Sequence, residues 1–449
     1  MYLILLLFFI VALLISLKLD HDELLSPGSL MLLGLAISSL FAMVGLGFWN
    51  NIQLTSTVVF IMIVGVAGIL TGQVVARCLN TKYNLAGSEI DICLHDRNWK
   101  YVVLTILVLF AIYLRIIETL KIGSSLGIDG LSYSAVAEVV RNATEAINSA
   151  DGMKLGVGFS FLERQMEKVV SAIGYVSAAL IGFRFARAGR VKSTLFAFVP
   201  LVACCVHVLI SGGRGQIIYY CVAVFSSYSI YRLRDGVSGK RVTRSVLAFG
   251  GIAACGILVL FYLGSFAVGR AASSGLIDYL SFYFGGSIPS LQLLINDSSL
   301  LLPPMAPGVR TLYYLSAIPF KLGFVGSYPS YSLAWVHPGN HASNVYTGFA
   351  RPYFDFGLLG MFVLIAIEVV FLITLYRWAK SRGTLVPVSV FLLFSGYIFD
   401  FAREDFFYSR FLSFNGLASL LLIILFALFM SLSFKNIKEI FRSASVHKL

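Results

Sequence analysis

The chain has 449 residues, of which 58% are hydrophobic and only 12% are charged. A soluble globular domain carries about 25% charged residues, so this composition excludes a soluble enzyme. Runs of about 20 apolar residues, almost free of charge, recur along the chain and exclude a protein with a single anchor. We therefore predict an all-α polytopic membrane protein.

The apolar runs predict about eleven transmembrane helices, within a range of ten to twelve. The first run lacks a basic leader and a cleavage site, so it is interpreted as a retained span. The predicted spans are residues 2–17, 27–48, 54–76, 100–119, 167–186, 193–211, 214–232, 246–268, 356–377, 385–401 and 414–434.

The net charge of +12 follows the predicted topology. Of the 34 lysines and arginines, 21 fall in alternate short segments between spans or after the last one. The positive-inside rule places these segments in the cytoplasm, so the C-terminus is predicted inside and the N-terminus outside. Since the basic residues are explained in this way, no nucleic-acid partner is expected.

Two long segments are then predicted on the outer side of a single membrane domain, 1–449. They are residues 120–166 and residues 269–355. The second holds eight of the eleven prolines, which argues against a missed span. Because a long loop inside a membrane domain is usually functional, we expect the active site in 269–355.

Arg214 is a candidate ligand for an anion. It lies in Ser-Gly-Gly-Arg-Gly-Gln at the outer junction of the sixth and seventh spans, where glycines allow close approach of the backbone. An arginine at that depth needs an anionic partner, and guanidinium groups suit phosphate oxygens. Arg270, just after the eighth span, could complete a two-arginine clamp. The alternative for both is an ordinary arginine at a helix end.

His341 lies in His-Pro-Gly-Asn-His-Ala-Ser-Asn-Val-Tyr, residues 337–346. Pro338 and Gly339 disfavour the helix that would align the two histidines, so no metal site is expected. A neutral imidazole can instead accept a hydroxyl proton. The alternative is an ordinary loop histidine.

Other residues of the outer segments are candidates for glycan or acceptor binding. Arg351 could hold a sugar hydroxyl, a carboxylate or a phosphate, or form a structural ion pair with Asp355. The aromatic residues could stack on sugar rings, or pack within the loop. The charges between spans ten and eleven form either one wall of the site or a solvated turn. The set comprises Trp335, Asn344, Tyr346, Arg351, Tyr353, Arg403, Glu404 and Arg410.

Two further acidic features are ambiguous. Glu368 falls in the middle of the ninth span, where a carboxylate costs about 2.5–3.5 kcal/mol on insertion scales and should find a partner within the bundle. His207 could be that partner, and the pair would favour a proton-coupled transporter. Asp20 to Glu23 form an acidic cluster that is interpreted as a solvated loop, with a metal site as the alternative.

These features together resemble the Wzy-type O-antigen polymerases, also called oligosaccharide repeat unit polymerases, which are related to the O-antigen ligases. Arg214 matches the arginine of the family's Ser-Arg-Gly-like turn, with Gly213 where serine is frequent. His341 or Asn344 matches the start of the His-Asn…Gly-x-x-Gly stretch, and Gly357 with Gly360 match its end. The local matches cover roughly 40 residues, and the topology match covers most of the chain.

The resemblance implies a GT-C-like architecture in the bacterial inner membrane, with the active site facing the periplasm. It implies transfer of a growing glycan from undecaprenyl diphosphate to the non-reducing end of a lipid-linked repeat unit. Arg214 and Arg270 would bind the diphosphate, and His341 would act as the base of an inverting reaction without metal or cofactor. Membrane lipids and a chain-length regulator protein are implied as partners. The alternatives are an O-antigen ligase and a flippase or other transporter.

Overall fold

A computed structural model describes residues 1–79, 98–128, 158–187, 195–213, 215–251, 275–297, 308–316, 333–339, 342–405 and 413–431. It also describes parts of 132–140 and residues 256, 318, 322–324, 407 and 408. Within these ranges the regular structure is helical, apart from one isolated β-bridge. The main helices are α1 (Tyr2–Leu19), α2 (Pro27–Val44), α3 (Ser56–Leu79), α4 (Asn98–Ser125), α5 (Phe161–Arg187), α6 (Leu195–Ile210), α7 (Gly215–Arg234), α8 (Ser287–Asn296), α9 (Ala350–Arg382), α10 (Leu385–Phe399) and α11 (Phe414–Ser431).

Eight helices among the described residues are long and apolar enough to cross a membrane. They are α1 to α5, α9, α11, and α10 together with the 3-10 turn Asp400–Ala402. The prediction of an all-α polytopic membrane protein is therefore confirmed. Helices α6 and α7 match the predicted sixth and seventh spans but are not among the eight. Most of the predicted eighth span lies outside the described residues, so the count of eleven and the GT-C likeness stay predictions.

The bundle has a buried centre and an apolar outer ring. Helices α2, α5 and α10 are mostly buried, whereas α1, α4 and α11 bury less than a third of their apolar windows. Large exposed side chains such as Ile4, Ile106 and Leu421 cover these outer helices. Such a surface is unfavourable in water and suits lipid.

Helices α3 and α9 pack backbone to backbone. A Cβ atom added at Gly72 would lie 2.7 Å from the carbonyl oxygen of Ala366, and one at Gly68 would lie 3.0 Å from that of Phe362. Small residues at four-residue spacing allow this approach in membrane helices. The contact holds the part of α9 that follows Gly357 against α3.

The basic segments gather at one end of the bundle. Lys380 of α9 forms an ion pair with Glu23 at 2.6 Å, and Arg377 donates a hydrogen bond to the carbonyl of Ala76 at 2.7 Å. Arg187 at the end of α5 lies 3.8 Å from Asp235 after α7. We call this end, formed by residues 18–23, 76–79, 184–187, 232–243 and 377–382, the basic end.

The opposite end departs from the predicted loop boundaries. Helix α4 continues to Ser125 and α5 begins at Phe161, so both helices extend into the predicted loop 120–166. Helix α8 packs its fully buried Ile288, Leu291 and Leu294 into the core, within the predicted loop 269–355. Part of that loop is thus a component of the bundle.

Helix α9 is broken at Gly357, which has φ +67° and ψ −169°. Only glycine adopts this conformation readily. The predicted ninth span begins beside this break, while the first turns of α9, from Ala350, run in another direction. The break lets residues 350–356 turn towards the chain after α10.

Candidate functional site

Two predicted outer segments meet opposite the basic end. The backbone N–H of Gly348 donates to the carbonyl of Phe401 at 2.8 Å, and the Phe349 and Phe401 rings lie 5.1 Å apart. Phe349 also fills the space beside Gly65, where an added Cβ would meet its ring at 2.4 Å. Gly65 is nine residues into α3, about 14 Å from its start. The contact is therefore recessed below the helix ends.

Arg351 occupies the middle of this recess. Its guanidinium donates to Glu404 Oε1 at 2.7 Å and to the carbonyl of Arg310 at 3.3 Å. Asp355 instead accepts from the Thr311 backbone at 2.7 Å and lies 3.5 Å from Arg310. The expected alternative of an Arg351–Asp355 ion pair is wrong, because Arg351 pairs with Glu404 and Asp355 with Arg310.

Arg403 continues the same cluster towards α7. It lies 3.3 Å from Asp400 Oδ1, while Asp400 Oδ2 accepts a hydrogen bond from the Tyr219 hydroxyl at 2.5 Å. Tyr219 is one turn after Gly215, where α7 begins. The helix that follows the predicted arginine turn thus contacts the cluster directly.

We call the set Tyr219, Arg310, Arg351, Asp355, Asp400, Arg403 and Glu404 the recessed cluster. Three arginines face three carboxylates within it, so the cluster is close to neutral. The carboxylates hold the guanidinium groups in place before any ligand arrives. The Nε of Arg403 is buried and makes no hydrogen bond within the described residues. The paired arginines thus present fixed hydrogen-bond donors at the end of the bundle opposite the basic end.

Sequence reasoning selected Arg351, Arg403 and Glu404 but missed Tyr219, Arg310 and Asp400. The three missed residues come from three separate segments and belong to no motif. The position of Asp400 at the end of a long apolar run is the one sequence feature that could have identified it. In the structure this residue is 6% exposed. A buried carboxylate at the end of a span requires a partner.

The predicted glycan-binding residues divide by exposure. Trp335 is 57% exposed and Asn344 is exposed, so both are open to a ligand. Tyr346 is buried and its hydroxyl donates to the carbonyl of Ala334 at 2.5 Å. Tyr353 is half-buried and its ring contacts that of Phe354 edge to face. The two tyrosines fit the alternative of packing within the loop.

The loop that contains His341 is closed by backbone pairing between Val336 and Ser343, at 2.9 and 2.7 Å. Gly339 has φ +68° and leaves no room for a side chain against the Phe48 carbonyl. Residues 337–339 are not helical. Four predicted site residues lie outside the described residues: Arg214, Arg270, His341 and Arg410.

Glu368 and His207, proposed as partners, have different neighbours. Glu368 interacts electrostatically with Asp405, whereas His207 interacts electrostatically with Arg115. The pairing is therefore not formed. Among the described residues there is no group of three histidine, cysteine or acidic side chains that could hold a metal.

The acidic cluster after α1 is not simply a solvated loop. Asp20 accepts hydrogen bonds from Ser26 at 2.5 Å and from Gln73 at 2.7 Å, and Glu23 pairs with Lys380. Burial raises the pKa of the Asp20 carboxyl above its ordinary value. These contacts tie the α1–α2 connection to α3 and α9.

Comparison with protein-family models, with characterised proteins and with solved structures finds no match.

Proposed function

We propose that this protein polymerises oligosaccharide repeat units carried on undecaprenyl diphosphate. The observation that supports this most is the recessed cluster. Arg351, Arg403 and Glu404, selected as site residues from distant parts of the sequence, lie together there, and α7 brings the end of the Gly-Arg-Gly turn to them. We propose that this end of the bundle faces the periplasm.

The chemistry suits such a site. When a glycosyl group leaves a diphosphate, negative charge accumulates on the leaving oxygen. Arginines that contact the leaving oxygen stabilise that charge more in the transition state than in the ground state. In this scheme Arg214 and Arg270 contact the diphosphate, His341 takes the acceptor proton, and the recessed cluster positions the arriving glycan.

The first experiment is a polysaccharide gel from the host with this gene deleted and then complemented. We expect the ladder to collapse to a core carrying one repeat unit, and to return on complementation. Loss of every repeat unit from the core would refute the polymerase and favour a ligase or a flippase. The membrane side on which lipid-linked units accumulate separates those two.

Arg351→Lys tests the recessed cluster, with Arg115→Lys as the matched control. Both arginines are mostly buried and paired with a glutamate, at 2.7 Å to Glu404 and 2.5 Å to Glu163. Lysine keeps the charge but loses the planar set of donors. We expect short glycans from Arg351→Lys and a normal ladder from Arg115→Lys, at equal protein levels. Normal ladders from both would refute a role of Arg351 in the reaction.

A lipid-linked oligosaccharide transporter is the second candidate, because of one specific observation. Glu368 is an acidic side chain, 3% exposed, inside a helix that could span the membrane. Buried acids at such positions are common in proton-coupled transporters. Accumulation of lipid-linked repeat units on the cytoplasmic side in the deletion strain would favour this candidate.

A further inference from the structure

Glu368 lies near the middle of the membrane-spanning part of α9. It is 11 residues, about 16 Å, after the break at Gly357, and 14 residues, about 21 Å, before the helix ends at Arg382. Its side chain is 3% exposed. It therefore faces protein and not lipid or water.

The chain after α10 packs inward against this part of α9. We call Arg403–Asp405 with Phe407 and Tyr408 the inward connection. The Tyr408 hydroxyl donates to the carbonyl of Leu364, one turn before Glu368, at 2.8 Å. The Phe407 ring lies 5.3 Å from that of Phe371, one turn after Glu368. The predicted outer loop between the last two spans thus reaches the depth of Glu368.

Within the part of the chain that the structure describes, few polar groups surround the Glu368 carboxyl. Helix α3 faces this stretch of α9 with Gly68 and Gly72, and α10 contributes Phe394, whose ring lies tilted against that of Phe371 at 5.9 Å between centroids. The titratable groups on the inward connection that interact with Glu368 are Asp405 and Tyr408. Neither can supply a positive charge, and Asp405 itself is 2% exposed.

The carboxyl is also incompletely bonded. Glu368 forms no ion pair among the described residues, and its Oε2 atom is buried without a hydrogen-bond partner. An ionised carboxylate in an apolar interior needs a cation or several donors, since desolvation costs it several kcal/mol. A bound proton removes that cost.

We propose that Glu368 is a proton-binding site in the middle of the membrane, closed towards the outer side by Phe407 and Tyr408 of the inward connection. The site holds one proton in the state described by this structure. Glu368 is not a member of the recessed cluster, although the inward connection shares Arg403 and Glu404 with that cluster, and the inference does not depend on glycosyl transfer. Its ligand is the proton itself, which distinguishes it from an anion site.

Dicyclohexylcarbodiimide tests the proposal, because this apolar reagent reacts with protonated carboxyl groups buried in membranes. The acid proton moves to a carbodiimide nitrogen, the carboxylate oxygen bonds to the central carbon, and rearrangement gives a stable N-acylurea. No group leaves, so the peptide gains the whole reagent mass. The purified full-length protein in detergent is treated at neutral pH and the modified residue is located by mass spectrometry.

Glu23 is the internal control, because its side chain is mostly buried but paired with Lys380. We expect Glu368 to be labelled at least about tenfold more than Glu23, because the reagent needs a protonated carboxyl and Glu23 is paired with a lysine. Glu368→Gln should abolish this label. Equal labelling of the two acids, or no label on Glu368 in wild type, would overturn the proposal.

Phe407→Ala tests the closure. Wild-type Glu368 should resist a water-soluble carbodiimide, and the smaller side chain should admit it, at least several-fold faster. If folding of Phe407→Ala fails, Tyr408→Phe removes only the hydroxyl that bonds to Leu364 and serves the same purpose. Labelling of wild-type Glu368 by the water-soluble reagent as fast as by the apolar one would refute a closed site.

Discussion

Each arginine of the recessed cluster is paired with its own carboxylate, and two of the three pairs join residues far apart in the chain, whereas Arg403 and Asp400 are only three residues apart. Arg351 bonds to Glu404, Arg310 to Asp355 and Arg403 to Asp400. Ionic networks of this kind are sensitive to the loss of one member, because the partner is left buried and unpaired. Conservative substitutions that keep charge are therefore the informative ones here.

Arg214→Ala and His341→Ala test the chemical step. We expect each to lower turnover by roughly two to four orders of magnitude, the usual range for a transition-state donor or an acid–base group. The measurement is polymer formed per minute from purified lipid-linked repeat units. Wild-type glycan length from either variant, at a normal protein level, would contradict the role assigned to that residue.

Asp20→Asn is predicted to change how stability depends on pH. Burial raises the pKa of Asp20, so the folded protein binds this proton more tightly than the unfolded chain does. The resulting stabilisation is full below about pH 4, the unfolded value, and is lost as pH rises through the raised pKa. Asparagine does not titrate, and its side-chain oxygen can accept the bonds from Ser26 and Gln73.

The measurement is the unfolding temperature of the wild type and of Asp20→Asn in detergent between about pH 4 and about pH 8. This range begins near the ordinary pKa of a carboxyl group and ends above that of histidine. The unfolding temperature of Asp20→Asn should rise relative to that of the wild type as the pH rises. A difference that stays constant, or one that grows towards low pH, would contradict the assignment.

At the element scale, the break in α9 determines which segments meet. Gly357→Ala forces a side chain into a conformation that costs about 1–3 kcal/mol. We expect a lower unfolding temperature in detergent and a shorter glycan ladder, because residues 350–356 would no longer reach the inward connection. Gly47→Ala is the control, since an added Cβ there meets nothing within 4 Å. If both variants have the same unfolding temperature and the same glycan ladder, the break at Gly357 does not determine the position of residues 350–356.

Hydropathy located most helices but not how far they extend. Periodic apolar runs found α2, α3 and α11 within a few residues. The inward packing of Phe407 and Tyr408 was not predicted, because charges around them resembled a solvated turn. Their burial depends on partners in α9, which sequence spacing does not reveal.

At the scale of the whole molecule, the positive-inside rule assigns the basic end to the cytoplasm. Single-cysteine variants test this, one keeping only Cys78 and the other carrying only Trp335→Cys. Cys78 is exposed near the basic end, and Trp335 is exposed at the opposite end. A membrane-impermeant maleimide on intact cells should label Trp335→Cys alone. The reverse pattern would invert the topology and refute a periplasmic site.

The sequence by itself determined that the chain is a helical membrane protein with its basic segments at one end, because composition and hydropathy are local properties. It also selected Arg351, Arg403 and Glu404, as charged residues of the predicted outer segments that could bind a glycan or acceptor. Only the tertiary structure decided the pairings: Arg351 with Glu404, Asp400 with Tyr219, and Glu368 beside Asp405 instead of His207. A buried charge takes the partner that packing brings within reach, and packing depends on contacts far apart in the chain.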